Sequence, residues 1–290
     1  MPGSRPLIQP LASLLLGLAS LYLTACCCPG GDSCSSSACD PGACAPDIPA
    51  TPRGPEVDLG IAPYPPGTPT AGAAIHTWIA RDLDPNRYKV GFALSPQQSR
   101  TVQDAHVAFA RKVGYRSIDD DTFTWSPPVA CQGDMRCVFA ELGRSNRDDI
   151  RALAARFEAR VRDSKLDALQ AADLVVSFVQ HIRYQVPASE PFGILPPALV
   201  VSDKYGDCDS KAFLGQMLLH ELGIESILVS SQAHKHTMLG IALPVQGDAF
   251  AFGTSRFAFT ECTAEGSPIG HINPELLHPN DWRPVPVDLK

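Results

Sequence analysis

Three residues in the C-terminal half have the types and the order of an acyl-transfer site. Cys208 follows a Gly206-Asp207 turn and opens the apolar stretch that runs to Gly223. Leu214, Met217 and Leu218 stand at i, i+3, i+4, which predicts a helix with one core face; Gly223 is its stop, and Ile224 to Val229 reads as a buried strand. A thiol at a helix N-terminus faces the positive end of the dipole and unpaired N–H groups, and both favour the nucleophilic thiolate. His236 opens the apolar run H-T-M-L-G-I-A-L-P, and Glu261 comes near the end of R-F-A-F-T-E-C-T. Nucleophile, base and orienting carboxylate are the parts of covalent acyl transfer. A single cysteine beside an apolar helix is more often a core thiol; the histidine and the acid downstream give Cys208 its chemical reading.

Strand parity bears on whether these residues can meet. Met238, Gly240 and Ala242 share the face of His236, and Phe257 and Phe259 share the face of Glu261. A carboxylate beside two phenylalanines needs a partner, and an imidazole on a neighbouring strand supplies one. Cys262 points to the opposite face and reads as a core thiol. His234, two residues before His236, could join Cys208 or Glu261 in binding zinc. No Cys-x-x-Cys or His-Glu-x-x-His accompanies it, so the expectation is a loop histidine, no metal and no cofactor.

The turn Gly206-Asp207-Cys208-Asp209 at a helix start, His236 at a strand start and Glu261-Cys262-Thr263 at the end of a later strand resemble the transglutaminase-like superfamily, over roughly 167–270. Glu261 stands where many members carry Asp. The resemblance implies an α+β, papain-like/transglutaminase-like core, with the nucleophile helix packed on an antiparallel sheet. It also implies a catalytic set of Cys208, His236 and Glu261 acting on a peptide or protein substrate through a thioester. Water as acceptor makes a cysteine peptidase or amidase; an amine makes a protein-glutamine acyltransferase. The alternative is a non-catalytic module of the same fold that binds peptides or envelope polymers. Tyr184 stands where related proteins often carry an aromatic near the site, and a strand-end core tyrosine fits it equally.

The rest of the chain sets the context. It has 290 residues, a net charge of −7 and no Lys/Arg cluster, which argues against nucleic acid. Residues 1–25 read as a lipoprotein signal peptide: Arg5, an apolar run from Leu11 to Leu23, and Leu23-Thr24-Ala25-Cys26, which resembles a bacterial lipobox with Cys26 as the lipidated residue. The apolar run is short for a membrane span. The location expected is the bacterial cell envelope, lipid-anchored, at the outer membrane in a Gram-negative host. Residues 26–74, rich in Pro, Gly, Ala and Ser, read as a flexible tether carrying Cys34, Cys39 and Cys44.

Residues 75–145 read as an N-terminal extension or small subdomain and 146–290 as the transglutaminase-like domain. Alternation at Tyr88, Val90, Phe92 and Leu94 predicts a strand, and Val102, His106, Phe109 and Val113 a helix. Further helices are expected from Ser145 to Asp148 onward, with Ile150, Leu153, Phe157 and Val161 inward, and over 167–182, with Leu169, Ala172, Val176 and Val179 inward. Cys131 and Cys137 suggest a small disulfide loop, and 187–197 a loop with Phe192 to Leu195 near the cleft.

Overall fold

The structure, a computed structural model, describes residues 51–119, 122–131 and 134–289. The expectations for residues 1–25, for Cys26 and for Cys34, Cys39 and Cys44 lie outside the described residues. No helix among the described residues is long and apolar enough to cross a membrane.

The first layer is a three-stranded sheet. Val57–Tyr64 (β1), Ala74–Ile79 (β2) and Arg87–Leu94 (β3) adopt the order β1-β3-β2, with β1 parallel and β2 antiparallel to the central β3. Tyr88, Val90 and Phe92 are buried as their alternation predicts. At Gly91 a Cβ would lie 2.7 Å from Ile61 Cγ1, so the neighbouring strand closes directly over that position. The strand β1 corrects the tether expected over 26–74. Val57, Leu59 and Ile61 alternate as a strand does, Leu59 and Ala62 are buried, and the backbone pairs with a strand 30 residues downstream. The Pro- and Gly-rich stretches on either side mask that short pattern.

Helices follow. In Pro96–Lys112 (α1) the Ser95 hydroxyl accepts a hydrogen bond from Gln98 N, and Pro96 sits in the first turn, where its missing N–H costs nothing. Val102, His106 and Ala110 face inward. A short hairpin, Arg116–Ser117 (β4) with Phe123–Thr124 (β5), leads to the Cys131–Cys137 disulfide, whose Cα atoms are 5.8 Å apart. Arg136–Ser164 (α2) then runs for 29 residues. It starts well before the predicted Ser145. Ser145 does not cap a helix: its hydroxyl bonds back to Leu142 O within one. Because α2 crosses the expected 145/146 boundary, and one buried cluster joins Tyr88 and Phe92 to Leu153, Leu174 and Leu214, residues 75–145 belong to the same core as the rest.

Ala168–His181 (α3) starts with a capping box between Asp167 and Gln170. Leu169, expected inward, is 45% exposed, because the first turn of α3 lies at the surface. Next come Arg183–Tyr184 (β6), Pro197–Asp203 (α4) and Tyr205–Gly206 (β7), which pairs in parallel with β6. Phe192 lies away from the cleft, in a cluster of rings with Tyr115, Phe123 and Trp125 at 4.6–5.5 Å. Leu195, however, reaches the helix that Cys208 opens, where its N–H donates to Ser210 Oγ.

The central helix is Cys208–Glu221 (α5), and beyond it lies a five-stranded antiparallel sheet. Ser226–Ser231 (β8), His236–Ile241 (β9), Ala249–Phe252 (β10), Ser255–Thr260 (β11) and Arg283–Val285 (β12) take the order β10-β11-β9-β8-β12. The molecule is thus α+β. The sheet's inner face packs on α5. Its outer face holds a second cluster of Ile227, Val229, Met238, Phe257, Phe259 and Trp282. One core face was expected for α5, yet residues 210–219 are all buried, because α2, α3 and α4 enclose the side that the sheet leaves open.

Asp149 on α2 is a buried carboxyl with incomplete support. One oxygen accepts from Gln98 Nε2 at 3.3 Å, and the other meets no donor among the described residues. Burial pushes it up to about 7 despite the Gln98 bond, with Asp148 adding to the shift. The native state therefore holds this proton where the unfolded chain has released it, and stability falls as pH rises from about 4 through 7. Asp149→Asn should stabilise the protein by roughly 1–3 kcal/mol at pH 8 and by less at pH 5. Urea unfolding of both proteins at both pH values checks this; an equal difference at the two pH values would refute the titration.

Candidate active site

The nucleophile candidate is positioned by its own helix start. Asp207 is the N-cap of α5: its Oδ1 accepts from Ser210 N at 2.9 Å and from the Ser210 hydroxyl. Cys208 is thereby fixed as the first helical residue, 3% exposed, at the positive end of α5. Ahead of it, β7 pairs with β6, so that Tyr184 lies beside Gly206, and Gln185 N–H donates to Gly206 O at 3.1 Å. Tyr184 is therefore a neighbour of the Cys208 turn.

The base candidate stands on the strand that carries this helix. His236 is the first residue of β9, and Thr237 beside it donates to Asp209 Oδ1 at 2.7 Å. That bond ties the residue after Cys208 to the residue after His236. His236 Nε2 lies 2.7 Å from Glu261 Oε2, which leaves Nδ1 as the nitrogen not committed to the carboxylate. Trp282 closes on the imidazole edge-on, with centroids 6.2 Å apart.

The carboxylate is strongly held. Glu261 Oε1 accepts from Thr263 N at 2.7 Å and from Thr263 Oγ1 at 2.6 Å. Burial opposes its charge, but His236 and the Thr263 bonds overcome that and bring it down to about 2. Thr263 is the threonine of the Glu-x-Thr pattern, so that support was visible in the sequence. Cys262 faces the main core, fully buried, and burial pushes its thiol far up, which removes it as a nucleophile.

His234 does not share this arrangement. It sits in the turn between β8 and β9, stacks on Trp282 and lies 3.3 Å from Asp281 Oδ2. Among the described residues the one set of three potential metal donors is Asp207, Cys208 and Asp209, within 4.8 Å of one another. Asp207 Oδ1 and Asp209 Oδ1 already accept the hydrogen bonds given above. A cleft of about 530 Å³ opens beside the Cys208 turn, lined by Asp134, Asp209, Gln232, Thr237, Asp281 and Arg283.

Two buried residues escaped the sequence reading. Gln180, on α3, donates to Glu261 O at 2.8 Å and to Ser267 O at 2.9 Å, and accepts from Gly266 N. Lys211, on α5, is fully buried, with Nζ on the carbonyls of Gln180 and Ile182. A lysine within an otherwise apolar helical stretch was the available signal for the second.

The depressed Glu261 carboxyl makes a stability prediction. Its folded value near 2 lies below the unfolded value, so its contribution is complete above about pH 4.5 and is lost as pH falls toward 2. Glu261→Gln should lower stability at pH 6 by roughly 1–3 kcal/mol and should close that gap in acid. Chemical denaturation between pH 6 and pH 3 measures it; a gap constant across that range would contradict the assignment.

No family profile matches this chain, and no curated protein matches it. Among solved structures it is similar to LapG of Legionella pneumophila, with 18% identity over 51% of this chain and 80% of that one and a TM-score of 0.32. An EGTA-treated LapG gives 18% identity over 51% and 77%, with a TM-score of 0.31. At this level the likeness assigns no residue a role.

Proposed function

We propose that this chain is a transglutaminase-like cysteine acyl-transfer enzyme of the cell envelope, with Cys208 as nucleophile, His236 as base and Glu261 as orienter. The observation that carries the reading is the buried His236–Glu261 pair at 2.7 Å, on a strand whose next residue is bonded to the turn of Cys208. A carboxylate held ionised by Thr263 fixes the imidazole ring and stabilises its protonated form. The fixed ring keeps Nδ1 for proton exchange with the thiol.

The reaction proposed has two halves. The Cys208 thiolate attacks the carbonyl carbon of a peptide bond or side-chain carboxamide, forming an S–C bond and a tetrahedral oxyanion. The Cys208 backbone N–H, at the start of α5, is the donor proposed for that oxyanion. Collapse breaks the C–N bond, the His236 imidazolium gives its proton to the departing nitrogen, and a thioester remains. Water or an amine, deprotonated by His236, then attacks the thioester and restores the thiolate.

Cys208→Ser keeps the shape but exchanges the thiolate for a far weaker nucleophile, so turnover on a substrate found by peptide and amine screening should be abolished with little change in melting temperature. Glu261→Gln should leave a small residual rate, and Cys262→Ala should cost stability and little rate. Full activity in Cys208→Ser, or a folded but inactive Cys262→Ala, would overturn the assignment.

The same reading includes lipid anchoring at Cys26, supported by the Leu23-Thr24-Ala25-Cys26 pattern. Labelling in cells with a fatty-acid analogue should mark the wild type and not Cys26→Ala; equal labelling would remove the anchor from the proposal.

A further inference from the structure

The end of α3 stands between the nucleophile's helix and the orienting carboxylate, and two buried polar side chains join it to both. Lys211 lies three residues after Cys208 on α5, about one turn along. Its Nζ donates to Gln180 O at 3.1 Å and to Ile182 O at 2.5 Å. These carbonyls close the C-terminus of α3, where intrahelical donors run out and the dipole favours a cation. The Gln180 side chain continues in the other direction, to the carbonyls of Glu261 and Ser267 and the N–H of Gly266. The path thus runs from the helix of Cys208 through the end of α3 to the backbone of Glu261, with Gln180 4% exposed and Lys211 fully buried. The pairing of β6 with β7 ties the same end of α3 to the turn before Cys208.

A buried lysine that meets only carbonyls among the described residues is a costly way to hold a helix end, because desolvation penalises the ammonium and no carboxylate among those residues pairs with it directly. Burial accordingly lowers Lys211 to about 8, while the nearby carboxylates of Glu261 and Glu265 act to raise it. What Lys211 adds is a fixed distance between α5 and α3, and Gln180 transfers that distance to Glu261.

We propose that Lys211 and Gln180 are positioning residues: a hydrogen-bonded strut through the end of α3 that sets Glu261, and through it His236, relative to Cys208. The strut rests on the reading of Cys208 as an activated thiol, and it deepens that reading. Neither residue touches the reacting atoms. Both act by holding the backbone from which the orienting carboxylate projects.

The test needs no substrate. Iodoacetamide alkylation of Cys208 in the full chain is followed from pH 5 to 9, with the Cys208 peptide quantified by mass spectrometry. Wild type should react faster near neutral pH than a free cysteine. Gln180→Met and Lys211→Met should slow alkylation at pH 6.5 about tenfold and move the midpoint toward that of a free thiol. Leu174→Ala, a cavity in the same helix chosen for a comparable loss of melting temperature, should keep the wild-type midpoint. Lys211→Gln retains one donor and should fall between wild type and Lys211→Met; it carries the comparison where a Met variant does not fold. Strut variants with the wild-type profile, or a Leu174→Ala profile shifted as far as theirs, would overturn the strut while leaving Cys208 activated. A wild-type Cys208 no faster than a free cysteine would overturn the nucleophile reading, and the strut with it.

Discussion

A carboxylate buried at Glu261 is the constraint that most of the site answers to. Taking that charge out of water is affordable only if several donors meet it at once. One oxygen meets His236 and the other takes both donors of Thr263. These contacts require one strand register. Thr260 pairs with Leu239, and continuing the ladder sets Glu261 opposite Met238, on the diagonal to His236 and on the same face. A slip of one residue would turn Glu261 into the main core and bring Cys262 to the imidazole.

The central helix supplies the second constraint. Because residues 210–219 of α5 are all buried, each polar side chain among them makes at least one hydrogen bond to a neighbouring element or to the helix cap. Ser210 joins the N-cap to Leu195, Gln216 Nε2 reaches Ser226 O, and Lys211 holds the end of α3. The approach to the sheet is close. At Gly215 a Cβ would lie 2.8 Å from Leu239 Cδ1, so the absence of a side chain lets helix and strand meet there. The helix that presents Cys208 is therefore held along its length, which is what a thiol with a fixed relation to an imidazole needs.

Much of this was legible locally. The helix start at Cys208, the alternation of β3, the start of α3 at Asp167 and the parity of Phe257, Phe259 and Glu261 are short-range patterns, each set by side chains within a few residues of one another. The same dependence on short range explains the misreadings. The strand β1 is a short alternation set within Pro- and Gly-rich sequence, Leu169 fits a helical stripe but sits in an uncovered first turn, and the N-cap residue of α2, Met135, has no capping side chain to announce the helix.

The sequence by itself determined the residue types of the candidate site, the elements that carry them and the faces on which they stand, because periodicity and capping act over one or two turns of chain. Only the tertiary structure decided that His236 meets Glu261 through Nε2. It also decided that Asp209 and Thr237 tie the helix start to the strand start, and that Gln180 and Lys211 bind α3 to both. Those bonds join residues 25 to 81 positions apart. Their geometry follows from how the sheet and three helices pack around α5, a property of the whole fold that no local pattern encodes.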